Sequence, residues 1–421
     1  MNGMPRTYSI FLAMLFPCFL QAQPVAFPGA EGFGALATGG RGGTTVHVIN
    51  LNDSGPGSFR DAVSAEKRVV IFDVGGVIHI KSPLSIASDI TLAGQSAPGD
   101  GVAIYGSAVS LSDASNIIVR YMRFREGISG PKGKCSINMN KASNIIVDHC
   151  SIEWGRWDCM GPTESSMITI QNCIIGEGID PQRFGCLCES DNITFSHNLW
   201  INNQSRNPKA KGKVQYVNNV VYNWGVTGLV GGHSAADHWL DLVNCYFIKG
   251  PNSNNSFVGQ FAPTDKVYQS GNFFDGDKDG KLNGREASVR DFGEGKNAAT
   301  IVDGPHVVPQ VSVTTDTAEV AYEKVLAGAG ASLHRDLIDA RLIDAVKSLG
   351  SAGKIINDES QVGGIGELRA GEAPKDSDGD GIPDAWETAH NLNPNDPSDA
   401  TASPKGSSYM FLEEYLNSLV H

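Results

Sequence analysis

The stretch NIIVDHCSI at residues 144–152 recurs along the chain: NIIVRYMRF starts at Asn116, MITIQNCII at Met167, NITFSHNLW at Asn192 and KVQYVNNVV at Lys213. The starts are 28, 23, 25 and 21 residues apart, and DITLAGQSA from Asp89 and WLDLVNCYF from Trp239 continue the series outward. A repeat of this length means stacked units, a solenoid. Within each block the second and fourth positions are apolar (Ile145 and Val147, Ile168 and Ile170, Ile193 and Phe195), the period-2 alternation of a strand with one face in a core. The sixth position is His149, Asn172, His197, Asn218 or Asn244, and the seventh is Cys150, Cys173, Asn198, Asn219 or Cys245. Equivalent residues on paired coils lie about 4.8 Å apart, so these rows become internal ladders. The fold class is therefore all-β, a right-handed single-stranded parallel β-helix. Cys150 and Cys173 are expected to stack as buried thiols rather than to join in a disulfide.

Working outward, residues 23–300 form the solenoid and the character changes after residue 300. Asp316 and Glu319 are spaced as a capping box before a helix that Gly328 ends, and SLHRDLIDARLIDAVKSLG reads as a second helix. Residues 301–370 should pack on the solenoid or cover its open end, since a repeat stack needs capped termini. A linker around GELRAGEAPKD leads to a tail, residues 371–421. At the other end, residues 1–22 carry Arg6, an apolar run from Ile10 to Leu20 and a small residue at Ala22, the pattern of a secretory signal peptide. The run is shorter than the roughly 20 apolar residues of a membrane-spanning helix, and nothing later approaches that length. The expectation is a secreted, monomeric protein with no transmembrane segment. Glycine, 49 of 421 residues, exceeds the ~7% average and fits many turns between short strands. A net charge of −13 argues against a nucleic-acid partner, which calls for a basic footprint.

Two segments carry the oxygen density a hard cation needs. DSDGDGIPDAWE matches the twelve-residue calcium loop with Asp376, Asp378, Asp380, Asp384 and Glu387 as ligands and Gly381 at the sharp turn. DGDKDGKLNGRE fits the same template with Asp275, Asp277, Asp279 and Glu286. Neither loop is expected to carry catalysis.

Three further stretches resemble polysaccharide lyase family 1, the pectate lyases: AFPGAEGFGALATGGRGG with NLNDSGPGSFRDAV, VDHCS at 147–151, and SRNPKAKG at 205–212 followed by VNNVVYNWG. AGQSAPGDG at 93–101 and the tail look like the bacterial branch of that family. The resemblance implies calcium-assisted β-elimination on polygalacturonate, with Arg206 removing the C5 proton, Lys209 and Lys211 holding substrate carboxylates, and Asp148 binding Ca2+. Asp158 and Arg206 each lie fourteen residues past their block starts, so both leave the same side of the solenoid two coils apart. Asp158 would join the calcium set. The family's usual acidic pair is broken here, because Trp154 stands four residues before Asp158. Glu177 or Asp180 on the next coil is the candidate replacement, Trp157 a candidate for stacking on sugar rings, and Arg183 an extra cation.

The chemistry explains these residue types. A proton α to a charged carboxylate is poorly acidic, and nearby cations stabilise the enolate-like intermediate. Arginine, with a solution pKa above ~12, can serve as base only in a strongly cationic, partly dehydrated site, which implies an alkaline activity optimum. A hydrolase would need paired carboxylates, and none is evident near the cleft. The alternatives are a lyase for methyl-esterified pectin and a non-catalytic pectin-binding solenoid.

Overall fold

The computed structural model describes residues 23–420, so the signal-peptide segment lies outside the described residues. Each repeat block splits into two strands, as in Ser143–Asp148 followed by Ser151–Glu153. The first strands stack in parallel within a 16-stranded sheet and the second within a 10-stranded one, which ends in one antiparallel strand, Arg285–Glu286. The registers pair Ile145 with Ile168, Ile168 with Ile193, Ile193 with Val214 and Val214 with Leu240, so the apolar rows of the sequence become columns of the core. The fold is the expected parallel β-helix.

The corner between the two strands explains the sixth-position row. His149, Asn172, His197, Asn218 and Asn244 adopt φ values of 50°, 52°, 54°, 56° and 50°. This left-handed conformation is costly for most L-residues and least so for Asn and Asp, with His also enriched there. The seventh-position row then forms a hydrogen-bonded ladder inside the core. The Cys150 amide donates to Cys173 Sγ at 3.4 Å, the Cys173 amide to Asn198 Oδ1 at 2.9 Å, and the Asn198 amide to Asn219 Oδ1 at 3.0 Å. All seven cysteines of the described residues are buried free thiols, Cys150 and Cys173 among them.

The later segments wrap the solenoid along its flanks. Helix Ala318–Gly328 presents Ala321, Tyr322 and Val325, and helix Leu337–Lys347 presents Leu342, Ile343 and Val346, to the outer face of the second sheet at Ile174, Leu199, Val220 and Tyr246. The first helix is capped by Thr317, whose hydroxyl accepts the Val320 amide, and not by Asp316. Asp316 is drawn away by His197 Nε2 at 3.0 Å and by Lys324. The second helix is locked on by a buried ion network. Arg125 reaches Glu153 at 2.6 Å and Asp339 at 3.0 Å, and Ser151 donates to Asp339 at 2.6 Å.

The outer face of the first sheet is also covered. Phe27, Ala35 and Ala37 of the N-terminal segment lie on Ile118 and Ile146. That contact requires glycine, since a Cβ on Gly34 would sit 2.0 Å from the Ile145 carbonyl oxygen. The tail covers Val69, Ile71 and Ala93 of the earliest coils. What stays open is the side from which the long strands Asp158–Gln171, Phe184–Ser196 and Lys209–Val217 begin.

Candidate active site

On that open side Asp158 pairs in register with Phe184, and Phe184 bridges to Ser205, so three coils bring 158, 184 and 205 into one row, with Arg206 the next residue along. Arg206 reaches back across the middle coil. Its Nη1 lies 3.1 and 3.3 Å from the two carboxylate oxygens of Asp158, and its guanidinium rests 4.2 Å from the centre of the Phe184 ring. The register reading of the sequence thus places both residues on one side, and their side chains meet as an ion pair. The arginine backbone is held in the left-handed region, φ 62°, by the Cys186 amide, which donates to the Arg206 carbonyl at 2.8 Å. A non-glycine residue there stores backbone strain of order 1 kcal/mol. Beneath it, Asn207 is buried and accepts from Asn203 at 2.9 Å while the Tyr216 hydroxyl donates to its carbonyl at 3.0 Å.

The electrostatics follow from burial. Asp158 has no exposed side-chain surface, and burial pushes its carboxyl up to about 6 although Arg206 opposes the shift. Because the folded value lies above the ordinary one of 3.8, the ionised carboxylate disfavours folding at neutral pH, a cost that fades as pH falls through about 6. Protonation also removes the charge that holds Arg206. A one-proton loss of kcat/KM as pH falls through about 6 is therefore expected, and it should disappear in Asp158→Asn; an acid limb unchanged in that variant would rule Asp158 out as its source.

Lys209 and Lys211 follow on the same strand, paired with Leu187 and Glu189 of the preceding coil. The Lys209 ammonium is held below its usual range by burial first and then by the charges of Arg206 and Lys211. Lys211 forms an ion pair with Glu189, a partner no sequence motif marked. Trp157, 38% exposed, lines a groove of about 330 Å³ with Lys134, Asp158, Asn138 and Thr163. Arg183 donates to Asn357 Oδ1 at 2.6 Å and lies 3.6 Å from Asp180, so it is tied to the wrapping segment.

The calcium expectations for this site need correction. Asp148 does point outward from its strand, but the N-terminal segment covers that face. Its carboxylate pairs with Arg120 at 3.0 Å and accepts from Gln171 at 2.9 Å and Asn172 at 3.1 Å. Burial alone would raise its pKa; His149 and Arg120 hold it well below the usual range. Glu177 is fully buried, and both its oxygens face Arg341, at 2.7 and 2.8 Å. A carboxylate already neutralised by a bidentate arginine is not a free cation ligand. Asp158 is the carboxylate that does line the groove, itself paired, and no set of three metal-ligating side chains converges there among the described residues. The donor set does not fit a resident calcium ion.

Away from the groove, Asp376, Asp378 and Asp380 converge as expected, and Glu387 joins Asp380. Asp384 does not; it faces Lys375 at 2.6 Å and Ser377 at 2.8 Å. The second loop does not gather its acids. Asp277 and Asp279 accept backbone amides two residues on, Asp275 accepts from Asn283, and Glu286 is exposed on a strand antiparallel to Phe273–Asp275.

The fold and the basic cluster of Arg206, Lys209 and Lys211, which adjoins the groove at Asp158 and Leu187, define a parallel β-solenoid with a cationic surface suited to an acidic polymer. The chain belongs to the pectate lyase family. It is 44% identical to the probable pectate lyase C of Emericella nidulans over 415 residues, 97% of this chain and 96% of that one. It is 42% identical to the probable pectate lyase C of Aspergillus terreus over 406 residues, 96% of each. Among solved structures it resembles the thermostable pectate lyase PL 47, with TM-score 0.54, 14% identity, and coverage of 75% of this chain and 99% of that one. A pectate lyase bound to a hexasaccharide gives TM-score 0.51 at 15% identity, covering 74% and 98%. No family model matches the chain.

Proposed function

We propose that this protein is a secreted, monomeric pectate lyase that cleaves α-1,4-polygalacturonate by β-elimination and releases 4,5-unsaturated ends. The observation that carries the reading is Arg206, seated on Phe184 and Asp158, with Lys209 and Lys211 following on one strand beside the groove that Asp158 lines. Lys209 and Lys211 take the substrate carboxylate and offset the charge that builds on it as the C5–H bond breaks. Arg206 in its deprotonated form accepts the C5 proton and becomes the guanidinium that pairs with Asp158. The C–H electron pair becomes the C4–C5 double bond, the C4–O bond breaks, and the departing glycosidic oxygen takes a proton from water. Asp158 and Phe184 hold the guanidinium in place, which limits the rotamer freedom an isolated arginine would have to lose. Calcium is assigned no step here.

Secretion rests on the leader pattern of residues 1–22, and no helix of the described residues is long and apolar enough to cross a membrane. The bacterial branch rests on AGQSAPGDG and the tail alone, the two curated relatives named above being fungal. Because two lysines are placed for carboxylates, initial rates on de-esterified polygalacturonate should exceed those on highly methyl-esterified pectin at least tenfold. Equal or faster turnover of the esterified polymer would favour the pectin lyase alternative, with Trp157 as its stacking surface.

A further inference from the structure

The tail contains a carboxylate cluster that nothing in the groove chemistry uses. Ligand oxygens of Asp376, Asp378 and Asp380 lie within 4.8 Å of one another, and so do those of Asp380, Glu387 and Asp399. Five acids therefore meet around Asp380 with no lysine or arginine among them. Proximity of acids is weak evidence alone; both oxygens of Asp376 take backbone amides, but the other four acids keep buried oxygens with no donor. Glu387 is fully buried with both carboxylate oxygens unpartnered, and Asp380 is 4% exposed with its Oδ2 unpartnered. Asp378 Oδ2 and Asp399 Oδ1 are likewise buried without a donor. A buried carboxylate costs several kcal/mol unless a cation compensates it. The basic side chain at the cluster among the described residues is His47, 3.9 Å from Asp376, and it donates to none of the unpartnered oxygens.

We infer that these five carboxylates, Asp376, Asp378, Asp380, Glu387 and Asp399, bind one calcium ion that fastens the tail to the first coils of the solenoid. Asp399 takes the place the loop template gave to Asp384. An all-oxygen set of this size, spread over a turn, a helix and a following loop, suits the six to eight ligands and loose geometry of Ca2+ better than the tight octahedron of Mg2+. The ion sits at a mechanical junction. Ile382, between the ligands, is fully buried against Val69, Ile71, Leu412 and Leu416. His47 of the first strand reaches the Gly379 carbonyl at 3.2 Å while its other nitrogen meets Asp73 at 3.0 Å. The final helix, Phe411–Ser418, sends Glu413 to Arg41 at 2.7 Å and Asn417 to Arg120 at 3.2 Å. Without the cation, these carboxylates are left repelling one another or taking up protons, and the ligands that tie the tail to the sheet are released.

The inference is independent of the groove chemistry, and its test reads binding. Full-length protein freed of metal with chelator is titrated with CaCl2 or MgCl2 by calorimetry, and its thermal unfolding is followed with and without each ion. One calcium site per chain is expected, at least tenfold tighter than for magnesium, with a rise in Tm. Asp399→Asn should weaken it at least tenfold, and Asp384→Asn should leave it within about twofold. Limited proteolysis of the chelated wild type should release the tail while the solenoid persists, a readout that requires no variant to fold. Absence of calcium binding to folded wild type, binding unchanged in Asp399→Asn, loss in Asp384→Asn, or a tail equally protected with and without calcium would each overturn the assignment.

Discussion

Arg206→Ala is expected to lower the rate of polygalacturonate cleavage about 10²–10⁴-fold, the usual contribution of a positioned proton acceptor. The fall should appear in kcat more than in KM, because Lys209 and Lys211 remain to hold the substrate. The variant should stay folded: the Arg206 side chain is 22% exposed, and its loss removes one ion pair, to Asp158, and one stacking contact, to Phe184. Asp158 is then a buried carboxylate without a counter-charge, and it answers by taking up a proton at higher pH. Arg206→Lys should recover little, since a point charge on a shorter stem cannot both lie flat on Phe184 and reach the two oxygens of Asp158. Loss of rate confined to KM would mean that Arg206 binds substrate and another group takes the proton.

Arg125→Ala is expected to destabilise the protein by about 3–5 kcal/mol, the range for stripping one partner from a buried ion pair. The reason lies in how much charge converges there. Arg125 and Glu153 have no exposed side-chain surface, and Asp339 none either. Removing the guanidinium leaves Glu153, Asp336 and Asp339 in the seam between the second sheet and helix Leu337–Lys347 with Arg123, 3.5 Å from Asp336 and 4.0 Å from Asp339, as the remaining cation. Against a typical total of about 5–15 kcal/mol this is a large fraction. Urea unfolding, followed by Trp fluorescence, should show the midpoint fall, and the wrapping helices should become protease-sensitive first. A midpoint unchanged from wild type would show that the network adds specificity without stability. Replacing Arg125, Glu153 and Asp339 together by apolar residues should cost less than removing Arg125 alone.

The solenoid was legible because its physics is periodic. Apolar residues two apart, and Asn or His at each corner, are local requirements of one coil repeated down the chain. The Asp158–Arg206 row was legible for the same reason, by counting from block starts. What the repeat does not encode was lost. Asp148 points outward as its strand position dictates, but the segment around Phe27 and Gly34, over a hundred residues earlier, covers it. Glu177 has the right chemistry and lies in reach, yet Arg341 from a distant helix neutralises it. Nothing near Glu177 in sequence announces that partner. Asp399 stands outside the loop motif and joins it only because the chain turns back after helix Asp384–Ala389. Asp384 fits the template and is lost to Lys375 and Ser377, neighbours the template treats as neutral. The misplaced cap at Asp316 is the same error on a small scale, since His197 competes for a carboxylate that local spacing assigned to a helix.

The central claim is that Arg206, Lys209 and Lys211 carry out an elimination and not a hydrolysis. The most direct measurement is the ultraviolet absorbance of unsaturated uronide ends as wild-type protein acts on polygalacturonate, with reducing ends counted in the same samples. β-Elimination predicts one unsaturated end for every new reducing end. Reducing ends that appear without the absorbance would contradict it and make the groove a hydrolase.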